Sequence, residues 1–295
     1  MKIGFLACPE TMPASGADRR GDAFEHDLIV AALRPAFAAR GLDLVEIEWR
    51  SPIAGFEGIV LVLLGTAWDY QDYPSEFLAK LEKLEQAGII VCNSASLVRW
   101  NIDKAYLKDL EQSGASIIPT IWAEDPGYSE LLAAFEHFDC DRLVVKRQVG
   151  AGGMGQHMFG RESLPDNDWT MGHAAMIQPF LPAILQEGEL SFVFVDGEYS
   201  HAIRKIAADG EYRIQSLYGG HEEMFEPSES DIASAGAIVA SMPGDKPLYA
   251  RIDMLRGDDG ALVLMEAEAV EPYLYPEQCP ELGKRLASAI LARLG

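Results

Sequence analysis

The chain has 295 residues, enough for one large domain or two to three small ones around a buried core. Lys and Arg total 24 against 46 Asp and Glu, a formal net charge of −22, which is the wrong sign for neutralising duplex phosphates and excludes nucleic acid as a partner. The longest apolar run, Ile59–Leu64, is a strand in length and not a membrane span, and Met1–Glu10 holds too short an apolar run for a signal peptide.

Cys8, Cys92, Cys140 and Cys279 lie far apart with no C-x-x-C pair, which fits a reducing cytoplasm and neither a disulfide framework nor a zinc site. Such an acidic chain repels anionic nucleotides at long range, so a nucleotide site has to gather its few cations locally.

In chain order, Lys2–Cys8 reads as a strand, Ala23–Arg40 as an amphipathic helix and Leu42–Trp49 as an alternating strand. Gly58–Leu64 is a buried strand, Ser75–Ala87 a helix ended by Gly88, and Ile89–Cys92 a short strand. This alternation predicts a small parallel α/β sheet, whose ligands bind beyond the carboxyl ends of its strands, where Thr66-Ala67-Trp68-Asp69-Tyr70 follows. A helix runs from near Asp103 to Gly114, then a strand over Ile117–Trp122, a helix from about Tyr128 to Phe138, and strand Leu143–Lys146 leading into a glycine-rich loop.

From Ala174 the pattern is antiparallel. Leu190–Val195 and Tyr199–Lys205 flank the hairpin signal Asp196-Gly197, and Tyr212–Tyr218 reads as a further strand ending on Gly219-Gly220. A helix spans roughly Glu229–Ser241, a second hairpin pairs Leu248–Leu255 with Ala261–Ala269 around Gly257-Asp258-Asp259-Gly260, and helix Glu281–Leu294 closes the chain. The fold class is therefore mixed, α/β first and α+β after it.

The loop Lys146-Arg147-Gln148-Val149-Gly150-Ala151-Gly152-Gly153-Met154-Gly155 admits several readings. Its G-x-G-x-x-G spacing is that of a dinucleotide fingerprint, but the residues that follow leave no room for the helix such a loop must open. It lacks the G-K-[ST] of a Walker A loop. A hairpin tip without ligand and a mobile strand-to-strand loop covering phosphates both stay open; Lys146 and Arg147 beside it, in an acidic chain, favour phosphate.

Residues two apart on a strand share a face, so Glu266 and Glu268 point the same way. With the tip at Asp258-Asp259, the predicted register sets Leu255 opposite Leu262, Asp253 opposite Leu264 and Arg251 opposite Glu266. Asp253, Glu266 and Glu268 then converge on one face with Leu262 and Leu264, an oxygen donor set suited to Mg²⁺. Solvated acids on an exposed face are the competing reading. His26, His137, His157, His173, His201 and His221 show no ligand spacing, and no nucleophile elbow is present.

Several stretches together resemble the ATP-grasp superfamily: Asn101-Ile102-Asp103-Lys104, Leu143–Lys146 with Gly150–Gly155, Ile177–Leu181, Glu187-Gly188-Glu189 and Met265-Glu266-Ala267-Glu268. Their order is similar to the bacterial glutathione-synthetase branch. Thr66–Tyr70, Ser200–Lys205 and Gln215–Gly220 look closest to the cyclo-ligases of D-cycloserine biosynthesis. The resemblance implies an ATP-grasp fold in three parts: 1–97, a pre-ATP-grasp α/β domain; 98–178, a subdomain with the lid loop; and 179–295, a subdomain with the metal site.

It also implies roles. Lys104 and Lys146 would clamp the ATP phosphates, with Gly150, Gly152 and Gly153 in the lid. Gln178, Pro179, Phe180 and Leu181 would meet adenine, and Glu187 and Glu189 the ribose. Arg213 and Lys205 would serve the reacting centre, and Asp253, Glu266 and Glu268 would hold one or two Mg²⁺ ions, with Mn²⁺ as a substitute. Related ligases often carry Asn as the last metal ligand, where Glu268 stands here. Thr66, Trp68, Asp69, Tyr70, Gly219, Gly220 and Glu271 would line the acceptor site.

The implied reaction is ATP-dependent activation of a carboxyl-type group, C–N bond formation and release of ADP and phosphate, in an antibiotic-type pathway. The substrate would be small and amino-acid-like, the nitrogen donor within the same molecule or in a second one, and the protein cytoplasmic, off the membrane and compatible with a homo-oligomer. A nicotinamide-dependent dehydrogenase, a nucleotide-binding protein without ligase activity and a kinase are the competing classes.

Overall fold

A computed structural model describes residues 1–13, 16, 18–150, 152–153, 155–214, 218–257 and 259–295. The elements are β1 (Lys2–Ala7), α1 (Phe24–Ala38), β2 (Asp43–Glu48), β3 (Ile59–Thr66), α2 (Pro74–Gln86), β4 (Ile90–Cys92), α3 (Ala95–Asn101) and α4 (Tyr106–Gln112). They continue with β5 (Ile121–Ala123), α5 (Tyr128–Phe138), β6 (Arg142–Arg147), β7 (His157–Gly160), β8 (Ala175–Pro179), α6 (Ala183–Gln186), β9 (Glu189–Val195) and β10 (Glu198–Ile206). The last are β11 (His221–Phe225), α7 (Glu229–Ala240), β12 (Tyr249–Arg256), β13 (Leu262–Glu268) and α8 (Leu282–Leu294). No helix among the described residues is long and apolar enough to cross a membrane.

The first sheet is parallel, in the order β2-β1-β3-β4. Both of its faces are covered, which is why β3 is a nearly continuous apolar run. Leu61 and Leu63 face α1 and α8, where Ile29, Leu33 and Phe37 recur at helical spacing. Val62 and Leu64 face α2 through Phe77, Leu81 and Leu84.

A second sheet, β5-β8-β6-β7, packs on α5 through Leu131, Ala134 and Phe135. The third, β11-β10-β9-β12-β13, is five-stranded and antiparallel. One of its faces buries Phe192, Phe194, Ala202, Ala250 and Ile252 against α4 and α7. The other packs Val193, Val195, Ile203 and Tyr249 against the cluster shared with the first sheet. Two buried amides tie the chain after β4 to this third sheet. Asn93 donates to Tyr249 O (2.8 Å) and Ala269 O (2.7 Å), and Asn101 donates to Ala267 O and accepts from Ala269 N, both at 2.7 Å.

Several expectations are corrected. Ile117–Trp122 is not one strand: Pro119, which has no N–H to give, interrupts it, so Ile117 bridges to Leu264 while β5 starts at Ile121. The helix expected from Asp103 starts at Tyr106, and α3 precedes it, capped by Ser94 accepting from Leu97 N. Tyr212–Ile214 is not a strand; the one that pairs with β10 is β11, beyond the two glycines, because it can lie along the edge of β10 from Ala202 to Ile206. Gln215–Leu217 and the hairpin-tip residue Asp258 lie outside the described residues, as do Ala151 and Met154 of the glycine-rich loop.

The hairpin register is also different. Arg251 pairs with Glu268, Asp253 with Glu266, and Met254 with Leu264, with a shift between Asp253 and Met254 that leaves Met265 as an extra residue on β13. This bulge changes which face the strand presents. Leu262 and Leu264 point into the apolar core, while Glu266 and Glu268, two positions on but past the bulge, are turned to the opposite face. The leucines therefore do not accompany the carboxylates, contrary to the sequence-based register.

Candidate active site

Between the three sheets lies a cavity of about 180 Å³. The strand pairing explains its chemistry. On the β9–β10–β12–β13 surface that faces the first sheet, the strands begin apolar at Val193, Val195, Ile203 and Tyr249 and become charged further along. Alternation places Glu189, Ser191, Lys205, Arg251 and Asp253 on that same face. The bulge adds Glu266 and Glu268 to it. Gly188, just before Glu189, has φ +94°, and a Cβ there would sit 2.4 Å from Lys205 O, so only glycine lets β9 enter this close to β10.

The carboxylates are met by the protein's own cations. Lys104 Nζ lies 2.9 Å from Glu266 Oε1 and also donates to Gly150 O. Lys205 Nζ is 2.6 Å from Glu189 and 3.5 Å from Asp253. Arg251 donates to Asp253 from Nε (3.0 Å) and Nη2 (2.9 Å), and to Glu268. Ser191 Oγ completes the set on Asp253 at 2.6 Å.

Burial presses the Lys205 ammonium down, as does Arg251 beside it, yet the Asp253 and Glu189 carboxylates more than reverse this and hold it above the ordinary lysine value. Burial works against ionised Asp253, but Arg251 and Lys205 keep it below the usual carboxylate range. Burial wins at Glu189 and Glu268, whose pKa values are raised despite their cations.

Two cations have no such partner. Neither Lys146 nor Arg147 has a carboxylate within ion-pair distance among the described residues, and both line the cavity beside Gly150, Gly152 and Gly153. Burial pulls the Lys146 pKa down. The segment after this loop is β7, a strand hydrogen-bonded to β6, where a dinucleotide-binding fingerprint needs a helix. The loop is thus a strand-to-strand connection.

The cavity brings together many of the residues expected to form the site: Lys104, Lys146, Gly150, Gly152, Gly153, Glu189, Lys205, Asp253, Glu266, Glu268, Trp68 and Glu271. Tyr70 lines a smaller recess behind it, of about 20 Å³, together with Glu271, whose Oε1 has no hydrogen-bond partner among the described residues. The others are placed elsewhere. Asp69 accepts from Trp49 Nε1 at 2.6 Å and pairs with Arg50. Thr66 is fully buried and bonded to His26 Nδ1 at 2.7 Å.

Arg213 is not among the lining residues; Glu211 holds it at 2.6 Å and Tyr218 stacks on it. Glu187 pairs with Arg256 at 3.0 Å. Gln178 donates to Thr120 Oγ1, Phe180 lies under Arg142, and Pro179, Leu181, Gly219 and Gly220 are absent from the lining. Reasoning from sequence missed Arg20, Tyr273, Tyr275 and the role of Arg251. The only signal for Arg251 was its shared strand face with Asp253.

Residues 3–93 match the family described as D-cycloserine synthetase DcsG, N-terminal domain. The cycloserine biosynthesis protein DcsG of Streptomyces lavendulae is 28% identical over 271 residues, covering 86% of this chain and 90% of that protein. A glutathione synthetase from Parasynechococcus marenigrum (strain WH8102) is 27% identical over 193 residues, covering 60% of this chain and 57% of that one. Among solved structures, D-cycloserine synthetase DcsG superposes with a TM-score of 0.81 at 23% identity over the whole of both chains. The ATP-grasp ligase PsnB, in a complex with a precursor variant, Mg and ADP, does so with a TM-score of 0.66 at 18% identity, over 99% of this chain and 98% of that one.

This chain has the ATP-grasp fold. In ATP-grasp terms, the second and third sheets face each other across the cavity, and the first sheet closes its third side.

Proposed function

We propose that this ATP-grasp chain is an ADP-forming ligase that activates a carboxyl-type group of a small amino-acid-like molecule and joins it to nitrogen. The observation that carries the reading is one cavity in which the loop-side cations Lys146 and Arg147 face the carboxylates Asp253, Glu266 and Glu268. Ring closure within one molecule is favoured over joining two, because similarity to the cycloserine biosynthesis protein spans 90% of that protein, against 57% for the glutathione synthetase. The division into 1–97, 98–178 and 179–295 fits one sheet in each part, apart from β8 at the second boundary.

Asp253, Glu266 and Glu268 offer the oxygen donors that suit Mg²⁺. Among the described residues, no three His, Cys, Asp or Glu side chains are grouped tightly enough to enclose an ion, since each of these carboxylates is turned to a lysine or arginine. Holding the ion therefore means exchanging part of those pairings for it. When bound, Mg²⁺ would neutralise phosphate charge.

The chain's own residues do the rest. Lys104 and Lys146 bind the phosphates, and the glycine-rich loop excludes water. A carboxyl oxygen attacks the γ-phosphorus, the bond to the ADP oxygen breaks with its electron pair, and an acyl phosphate forms. Nitrogen then attacks the acyl carbon, phosphate leaves with the bonding pair, and the nitrogen loses a proton. Glu189 remains the candidate for the ribose hydroxyls. Arg213 receives no step while Glu211 holds it outside the cavity.

Product analysis with a panel of amino acids and ureido-amino acids tests the reading. Matched release of ADP and phosphate is expected; AMP with pyrophosphate, or no ATP turnover with any of them, would sink it.

A further inference from the structure

Arg147 ends β6, one residue after Lys146, where the strand runs into the glycine-rich loop. A Cβ built on Gly155 would lie 2.9 Å from Arg147 Cδ, and one on Gly150 would lie 3.6 Å from Arg147 Cβ. The two glycines thus close around the aliphatic stem of the arginine, and Arg147 is one of the residues that line the cavity. In a chain with 46 Asp and Glu, an arginine at a cavity wall would be expected to find a carboxylate. Among the described residues this one has no carboxylate within ion-pair distance and no hydrogen-bond partner for its buried Nε. A buried guanidinium nitrogen left unsatisfied is costly, a penalty that an incoming anion on the guanidinium would offset.

The anion expected at this place is set by the neighbours. Lys146 lies next to Arg147 on the strand, and the backbone amides of a glycine-rich loop suit phosphate oxygens. The planar fork of a guanidinium grips two such oxygens at once. The arginine first expected there, Arg213, is occupied by Glu211.

We propose that Arg147 is a catalytic residue that donates to the phosphoryl group in transfer, its stem held in place by Gly150 and Gly155. This rests on the ligase reading above.

Two measurements test it. In the first, melting temperatures are recorded with Mg·ADP and with Mg·ADP plus beryllium fluoride, which adds a phosphoryl mimic. Wild type is expected to gain an extra shift from beryllium fluoride; Arg147→Ala should keep the Mg·ADP shift and lose the extra one. An equal extra shift in the variant overturns the proposal, whereas no Mg·ADP shift in wild type overturns the ligase reading with it.

In the second, turnover is measured with whichever panel acceptor supports ADP release. Arg147→Ala should lower kcat by roughly 100-fold, the usual effect of removing one donor to developing charge. Guanidinium chloride at non-denaturing concentration should restore at least a tenth of the lost rate, and should do nothing for wild type. A merely structural arginine would show no rescue. A loss confined to the acceptor KM would instead place Arg147 on the acceptor carboxylate and refute its role in phosphoryl transfer.

Discussion

Asp253→Asn is the most informative single perturbation of this site. The Asp253 carboxylate is 2% exposed and accepts from Arg251, Ser191 and Lys205. The amide keeps the shape but removes the charge that two buried cations share. Breaking one side of a buried ion pair costs about 3–5 kcal/mol. Glu189 still serves Lys205 and Glu268 still serves Arg251, so the low end, about 3 kcal/mol, applies. At about 2–4 °C per kcal/mol for a chain approaching this size, the melting temperature should fall by about 6–12 °C.

The same substitution bears on function. A ligand at 100 times its Kd stabilises the native state by about 2.7 kcal/mol. Wild type should therefore melt higher in saturating Mg·ATP, and Asp253→Asn should lose most of that gain. Both quantities come from one set of circular-dichroism melts at neutral pH, with and without Mg·ATP. A variant that melts within about 2 °C of wild type, well inside the smallest shift expected, and keeps its Mg·ATP shift would refute both the charge network and the metal assignment. The double variant Asp253→Asn/Arg251→Met should cost less than the sum of its parts, because the two side chains touch.

Glu266→Gln should abolish ATP turnover while the protein still folds, since Lys104, its partner, retains Gly150 O; full activity in phosphate-release assays would remove Glu266 from the metal set. Asp69→Asn should lower stability by about 1–3 kcal/mol through loss of the Arg50 and Trp49 contacts, read from melting curves, and calorimetric titration should find ATP and acceptor affinity unchanged. Buried His201 has its pKa pushed down to about 4, against 6.5 for an ordinary histidine, chiefly by burial. Between those values the unfolded chain takes a proton that the folded one refuses, so stability is complete above pH 6.5 and falls as pH drops toward 4, by at most about 3 kcal/mol. His201→Gln should flatten that part of a melting-temperature profile against pH; an unchanged slope would assign it to other groups.

Much of the architecture is legible in the order of the residues alone. The parallel first sheet follows from apolar runs alternating with amphipathic helices. The hairpins follow from Asp196-Gly197 and the Gly257–Gly260 turn, because turn chemistry and side-chain period are local properties of the chain. Lys104, Lys146 and the carboxylates of β12 and β13 could be gathered because each sits in a short motif with its own neighbours.

Only tertiary structure decided the rest. The bulge at Met265 chose which face carries Glu266 and Glu268, since register depends on what the partner strand buries. Whether a charged side chain serves the cavity depended on which opposite charge lay within a few ångströms from elsewhere in the chain. Glu211 withheld Arg213, Arg256 withheld Glu187, and Trp49 with Arg50 withheld Asp69, whereas Lys146 and Arg147 were left facing the cavity. Coulomb attraction acts through space, and a one-dimensional spacing does not contain those distances.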